Sequence, residues 1–427
     1  MYQIENSRQI LAARGRLVGL RLGAPSVSRT VLLLGLTSLF TDMSAEMVST
    51  ILPLYLLFDL HVTPAIFGAI DGLYQGAAAL VRIFGGVVAD RSGRHKEVAA
   101  AGYALSAVAR VGLLVVGSAW TLLAGVVMVD RLGKGIRTAP RDALISLSTR
   151  GEDLGTAFGV HRALDTAGAM IGPLIAFGLL TAAPGAYDAV FVVSLCAAVL
   201  GLGVLTLFVQ NPPIAPAAPA ARPALSLAAA ARLVRVPGVA PLLLAGAVLN
   251  LVTMSDGFLY LTLQRRVGFE VRFFPLLYVA TALIFMLLAV PIGRLADRVR
   301  RWWVFLGGHA LLLVVYASLL LPWTGTPQLV LAIVLLGAYY AATDGVLMAL
   351  ASAVLPQEFR ASGMALLTTG TSLARLAGSI LFGVLWTWRG VEVAVAISTA
   401  GLAGALLVTA VALRTRTNGR HVEPAAP

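Results

Sequence analysis

Charge is scarce in this sequence. Of 427 residues 12% are Asp, Glu, Lys or Arg against 59% hydrophobic, and the mean hydropathy is +0.88. Soluble domains carry about 25% charged residues, so a water-soluble fold is excluded: it has no way to hide so much apolar surface, and the bilayer is the expected solvent. Cysteine is nearly absent too. Cys196 stands alone inside the apolar stretch 190–209, which rules out a disulfide framework or thiolate metal cluster and predicts a small buried hydrophobe. His61, His95, His161, His309 and His421 are scattered, with none at metal-ligand spacing. No metal and no cofactor is expected. A phosphate-binding loop is also missing: "GKGIR" from Gly133 lacks the upstream glycine and the Ser/Thr of a Walker A sequence. Energy therefore has to come from a gradient or a partner.

What charge there is leans basic, with a net of +12. A nucleic-acid surface would need those residues clustered on a soluble face, and here they sit between apolar runs, as positive-inside sorting requires. The first 29 residues carry Arg8, Arg14, Arg16, Arg21 and Arg29 and no long apolar segment before a small-residue cleavage site, so they read as a cytoplasmic, interfacial basic tail rather than a removed signal.

Apolar runs long enough to cross a core of roughly 30 Å recur about twelve times: 30–58, 66–88, 96–117, 119–138, 155–180, 188–209, 239–262, 273–292, 302–321, 328–352, 361–386 and 391–413. The loops after the even-numbered spans collect the arginines, and those of the other parity are short and mostly uncharged, apart from "QRRVGFEVRF". Both termini are thus expected in the cytoplasm. The Pro/Ala-rich stretch "NPPIAPAAPAARP" at 211–223 cannot continue a helix and divides the chain. The expected organisation is a tail at 1–29, a six-helix bundle at 30–209, a cytoplasmic linker at 210–238, a second bundle at 239–413 and a tail at 414–427. "GVVADRSGR" at 86–94 and "GRLADRVRR" at 293–301 share G-x-x-A-D-R at the same place in each half, the mark of two parallel repeats.

Gly86, Ala89, Asp90, Arg91, Gly93 and Arg94 resemble the signature G-x-L-A-D-R-x-G-R-K that follows the second helix in the major facilitator superfamily of secondary transporters. The resemblance covers the chain from about Thr30 to Leu413 and implies an all-α membrane protein, twelve transmembrane helices in two pseudo-repeated six-helix bundles. It implies a cytoplasmic latch from the first copy and from Asp297 in the second, where Arg300 replaces the glycine. Arg131 and Gly135 resemble the family's R-x-x-Q-G, with Lys134 in place of glutamine and Asp130 just before. By resemblance Arg131 assists proton transfer; equally, Asp130 and Lys134 at i, i+4 can neutralise one another. Gly159, Gly168, Gly172 and Pro173 match G-x8-G-x3-G-P, similar to the antiporter signature of drug:proton exchangers, though such spacing also serves ordinary helix packing.

"VHRALDT" places His161, Arg162 and Asp165 on neighbouring faces, as a proton relay or, as preferred here, a salt-bridge gate with Arg137, Arg141 and Asp142 from "GIRTAPRDAL". Further charges inside spans are Asp71, Arg82, Arg110, Asp256, Asp344 and Arg375, each costing about 2.5–3.5 kcal/mol at a helix centre unless it faces a partner or water. Tyr74, Phe258, Tyr260, Tyr278, Tyr339 and Tyr340 are candidates to line a cavity, with packing the simpler role for each.

The sharpest expectation comes from "TDMSAE" in span one. Asp42 and Glu46 sit on one face, roughly 18 and 24 Å along the helix. Two ionised carboxylates there repel, so at least one is expected to hold a proton part of the time. The alternative is a fixed clamp to Arg110, Arg131 or Arg375. Asp42, Glu46, Arg110, Arg131, Asp256 and Asp344 are therefore the candidate proton-coupling and cavity residues. The resemblance implies a monomeric, multi-pass plasma-membrane protein of a prokaryote that exchanges protons for a small drug-like or metabolite molecule, without nucleic-acid partners. Proton-coupled uptake or a non-transporting scaffold are the other readings. An enzyme is not expected, since no nucleophile–base pair is visible.

Overall fold

A computed structural model describes residues 27–150, 153–211, 238–355 and 360–418, and among these it contains helices and no strand. Most of both tails and of the linker expected at 210–238 lies outside the described residues, and the last helix continues through 414–418 of the expected C-terminal tail. In the first half α1 (Arg29–Leu54) runs on through a wider turn at Tyr55–Asp59, followed by α2 (Pro64–Ser92), α3 (His95–Val115), α4 (Trp120–Leu147), α5 (Leu154–Ala182) and α6 (Tyr187–Phe208). The second half holds α7 (Val239–Leu251), α8 (Asp256–Val267), α9 (Phe274–Arg298), α10 (Arg301–Leu320), α11 (Thr326–Val354), α12 (Arg360–Arg389) and α13 (Val391–Asn418).

Local chemistry sets the ends. Ser28 caps α1 by accepting the Val31 amide at 3.3 Å, and Thr63 caps α2 ahead of Pro64 in the first turn. Gly93 ends α2 in the left-handed region at φ 65°, so the glycine of the loop signature is there for its backbone. Span seven departs from the continuous helix expected at 239–262. It unwinds between Leu251 and Asp256, and Ser255 restarts it by accepting the Phe258 amide at 3.5 Å. Span four differs as well: α4 continues to Leu147, so Arg137, Arg141 and Asp142 are helical residues rather than loop residues.

Ten stretches, counting α7 and α8 together, are long and apolar enough to cross a membrane; α2 and α4, of 29 and 28 residues, complete the twelve. α4 is less apolar because it carries charge, and it turns Asp130, Arg131 and Arg137 inward, where they are buried. Large apolar side chains such as Leu207, Leu287 and Leu407 are exposed on the outside instead, as a lipid-facing surface requires. Cys196 is exposed, correcting the expectation of a buried hydrophobe: its face of α6 turns away from the bundle.

Within the first half α1 packs on α5 and α6, and α4 on α2 and α3; within the second, α11 packs on α9 and α10, and α12 on α7. The halves join along α2 and α12, where a side chain on Gly72 would strike the backbone of Leu376, and at the end of the bundle away from the termini. That end is sealed by Phe67 against Phe258 (centroids 4.6 Å apart), Phe258 against Phe382 (4.8 Å) and Phe177 stacked on Phe273 (5.8 Å). The Ala65 amide also donates to Thr387 Oγ1 at 2.9 Å.

Candidate functional site

The buried charge of the first half divides into two systems. Asp130 is the anchor of the first. It pairs with Arg110 at 3.2 Å and with its neighbour Arg131. The Arg131 guanidinium lies over the Tyr74 ring, 3.7 Å from its centroid, and Arg110 Nε donates to Ser44 Oγ at 3.1 Å. Arg110 and Arg131, expected at the cavity, are thus buried at 3% exposure and committed to one carboxylate, tying α3, α4 and α1 together. The expected neutralisation of Asp130 by Lys134 gives way to this pairing.

The second system lies nearer the terminal end. Asp42 on α1 and Asp165 on α5 bring their carboxyl groups side by side. Two carboxylates this close repel when both are ionised, so the arrangement favours a shared proton. Cations flank it on both sides: Arg137 Nη2 is 3.9 Å from Asp42, Arg141 Nη1 is 3.9 Å from Asp165, and Arg162 Nη1 is 3.6 Å from Asp165. Arg141 also pairs with Asp142 at 3.0 Å, and Arg137 donates to Ser106 Oγ at 2.8 Å. His161 is fully buried, its Nε2 lying 2.9 Å from Ser38 Oγ. Lys134 lies within the attractive field of both Asp42 and Glu46.

Glycines make this closeness possible. A side chain on Gly168 would meet the backbone of Leu39, and one on Gly172 that of Met43 and Met47, so α5 lies directly on α1 at the level of the carboxyl pair. Gly159 has open space beside it; it belongs to the motif's spacing but not to the contact. Pro173 faces a cavity.

That cavity, of about 220 Å³, opens between the halves. Glu46 and Pro173 come from the first half; Asp256, Tyr260, Tyr278 and Asp344 are among the residues from the second. Tyr340 donates its hydroxyl to Asp256 at 2.5 Å, and Ser49 donates to Glu46 at 2.7 Å. A second cavity of about 240 Å³ shares Asp256 and Tyr340 and is walled by the unwound segment at Thr253, Met254 and Ser255, with Gln75 and Arg375. Arg375 Nε is held by Asn250 Oδ1 at 2.6 Å. Asp71 faces across the halves and accepts from Ser379 at 2.7 Å. Phe258 and Tyr339 are packed in the core. Among the described residues no group of His, Cys, Asp or Glu is arranged to hold a metal.

Of the expected gate, Arg94 is exposed and Asp297 pairs, among the described residues, with Arg301 one turn on at 3.2 Å. Gly86 lies against Ala139 of α4, while the side chains of Asp90 and Arg91 fall outside the described residues.

The profile of the Major Facilitator Superfamily matches residues 34–288 and 253–427. The chain belongs to the major facilitator superfamily. It is similar to an uncharacterised MFS-type transporter of Methanocaldococcus jannaschii, 29% identical over 373 residues that cover 84% of this chain and 89% of the relative. An uncharacterised protein of Mycobacterium tuberculosis is 35% identical over 181 residues, covering 42% of this chain and 44% of its own. Among solved structures, the nucleoside transporter NupG matches with TM-score 0.74 at 17% identity, over 90% of this chain and 99% of that one. A bacterial homologue of the lysosomal transporter Spinster matches with TM-score 0.69 at 16% identity, over 94% and 100%. The likeness to these structures is one of fold. As a major facilitator, the chain is a multi-pass membrane transporter, and the interface between its two bundles is where such carriers place their binding sites.

Proposed function

We propose that this transporter is proton-coupled and works by antiport, exporting a small drug-like or metabolite molecule from a prokaryotic cell as a monomer, with no chemistry performed on it. Both termini and the 210–238 linker are read as cytoplasmic, from the arginines at that end. The sealed far end, with Asp344 exposed, supports a cavity facing the terminal side.

The carrying observation is the closeness of Asp42 and Asp165 between Arg137 and Arg141. With one proton the pair bears a single negative charge between Arg137 and Arg141. Losing that proton adds a second charge in low dielectric, which draws the Lys134 cation more strongly. Lys134 drawn toward Asp42 turns away from Glu46 and leaves that carboxylate facing the cavity. A proton and a cavity ligand then compete for one charge balance, which is the requirement for exchange.

The test is transport in proteoliposomes against a compound panel. Accumulation driven by a proton gradient should collapse with an uncoupler, and flux that ignores the collapse removes the coupling claim.

A further inference from the structure

We propose that the molecule bound between the bundles is a small organic cation with an apolar or aromatic body; this rests on reading the cavity as the transport site. Glu46, Asp256 and Asp344 line one cavity of about 220 Å³, and among the described residues none of them has an ion-pair partner within 4.0 Å. Their hydrogen-bond partners are neutral, Ser49 for Glu46 and Tyr340 for Asp256. Arg375, on the wall of the adjoining cavity, is held by Asn250. Carboxylates inside a bundle are costly unless a positive charge meets them, and among the described residues no cationic side chain lies within 4.0 Å of these three.

The rest of the wall suits the rest of such a ligand. Tyr260, Tyr278 and Tyr340 present rings, and Pro173 and Phe285 present apolar surface. Tyr260 and Tyr278 are fixed edge to face, centroids 4.7 Å apart, with the Tyr260 hydroxyl donating to Thr281 at 2.7 Å. Rigid rings beside carboxylates attract a quaternary or ammonium centre through both the charge and the ring face. Glu46 comes from α1 and the other two acids from α8 and α11, so one bound cation touches both bundles, as a ligand that moves with alternating access must.

Benzyltrimethylammonium is the probe of choice, since its charge is fixed at every pH. Its neutral isostere, neopentylbenzene, and the anion phenylmethanesulfonate serve as controls. Binding to the full-length protein in nanodiscs is measured by calorimetry and thermal shift at one pH with no gradient, so the outcome is independent of proton coupling. The expected result is binding of the cation at least tenfold tighter than of either control, weakened at least tenfold in Asp256→Asn and in Asp344→Asn. The second variant lies at an exposed position, so its folding is not in question. Equal binding of the anion or the neutral isostere, no binding of the cation, or cation binding unchanged in Asp344→Asn overturns the proposal.

Discussion

Asp42 and Asp165, 123 positions apart in the chain, join their carboxyl groups across α1 and α5, with an arginine within 3.9 Å on either side. A carboxyl pair this close is expected to share one proton, and infrared difference spectra should show a protonated carboxyl that disappears as pH is raised. Asp42→Asn and Asp165→Asn should each abolish that band, because the remaining acid faces two arginines alone and ionises. A band that survives both substitutions belongs elsewhere.

Asp130 has a different task. Replacing it with Asn leaves Arg110 and Arg131 buried without their shared counter-charge, a change that costs about 3–5 kcal/mol for a buried pair. Thermal unfolding of Asp130→Asn should fall well below that of the parent and of Glu46→Gln, whose carboxylate accepts from Ser49 and has no ion pair within 4.0 Å among the described residues. Similar melting of the two variants would show that Asp130 is not the structural anchor.

The helix-five motif should separate into two kinds of glycine. Gly168→Ala forces a methyl into the Leu39 backbone and should cost about 1–3 kcal/mol by overpacking, with transport lost as α5 moves off α1. Gly159→Ala meets nothing within 4 Å and should be neutral or stabilising by up to about 1 kcal/mol from helix propensity. Parallel melting and transport assays on the two variants decide this.

Lys134 stands where the family pattern has glutamine, and its ammonium is attracted to both Asp42 and Glu46. Lys134→Gln should fold, retain ligand binding and slow gradient-driven transport at least tenfold. Unchanged coupled transport would remove Lys134 from the exchange.

The sequence made the twelve spans and the two halves readable because hydropathy and arginine placement depend on composition alone. It pointed to Asp42 and Glu46 as a pair, since i, i+4 spacing is visible in one helix; their separate partners, Asp165 and the cavity, depend on how α1 is rotated against α5, which spacing does not encode. Arg110 with Asp130 was hidden for the same reason. The break in span seven did leave a trace: "SDGF" carries a Ser cap followed by an acid in the first turn, a start signal set inside an otherwise continuous apolar run.

The central claim is that the proton exchanged for the transported molecule resides on Asp42 and Asp165. It is tested most directly by comparing gradient-driven accumulation with gradient-free counterflow in proteoliposomes of the parent and Asp165→Asn. The account predicts that the variant keeps counterflow and loses accumulation; accumulation at the parent rate in Asp165→Asn would contradict it.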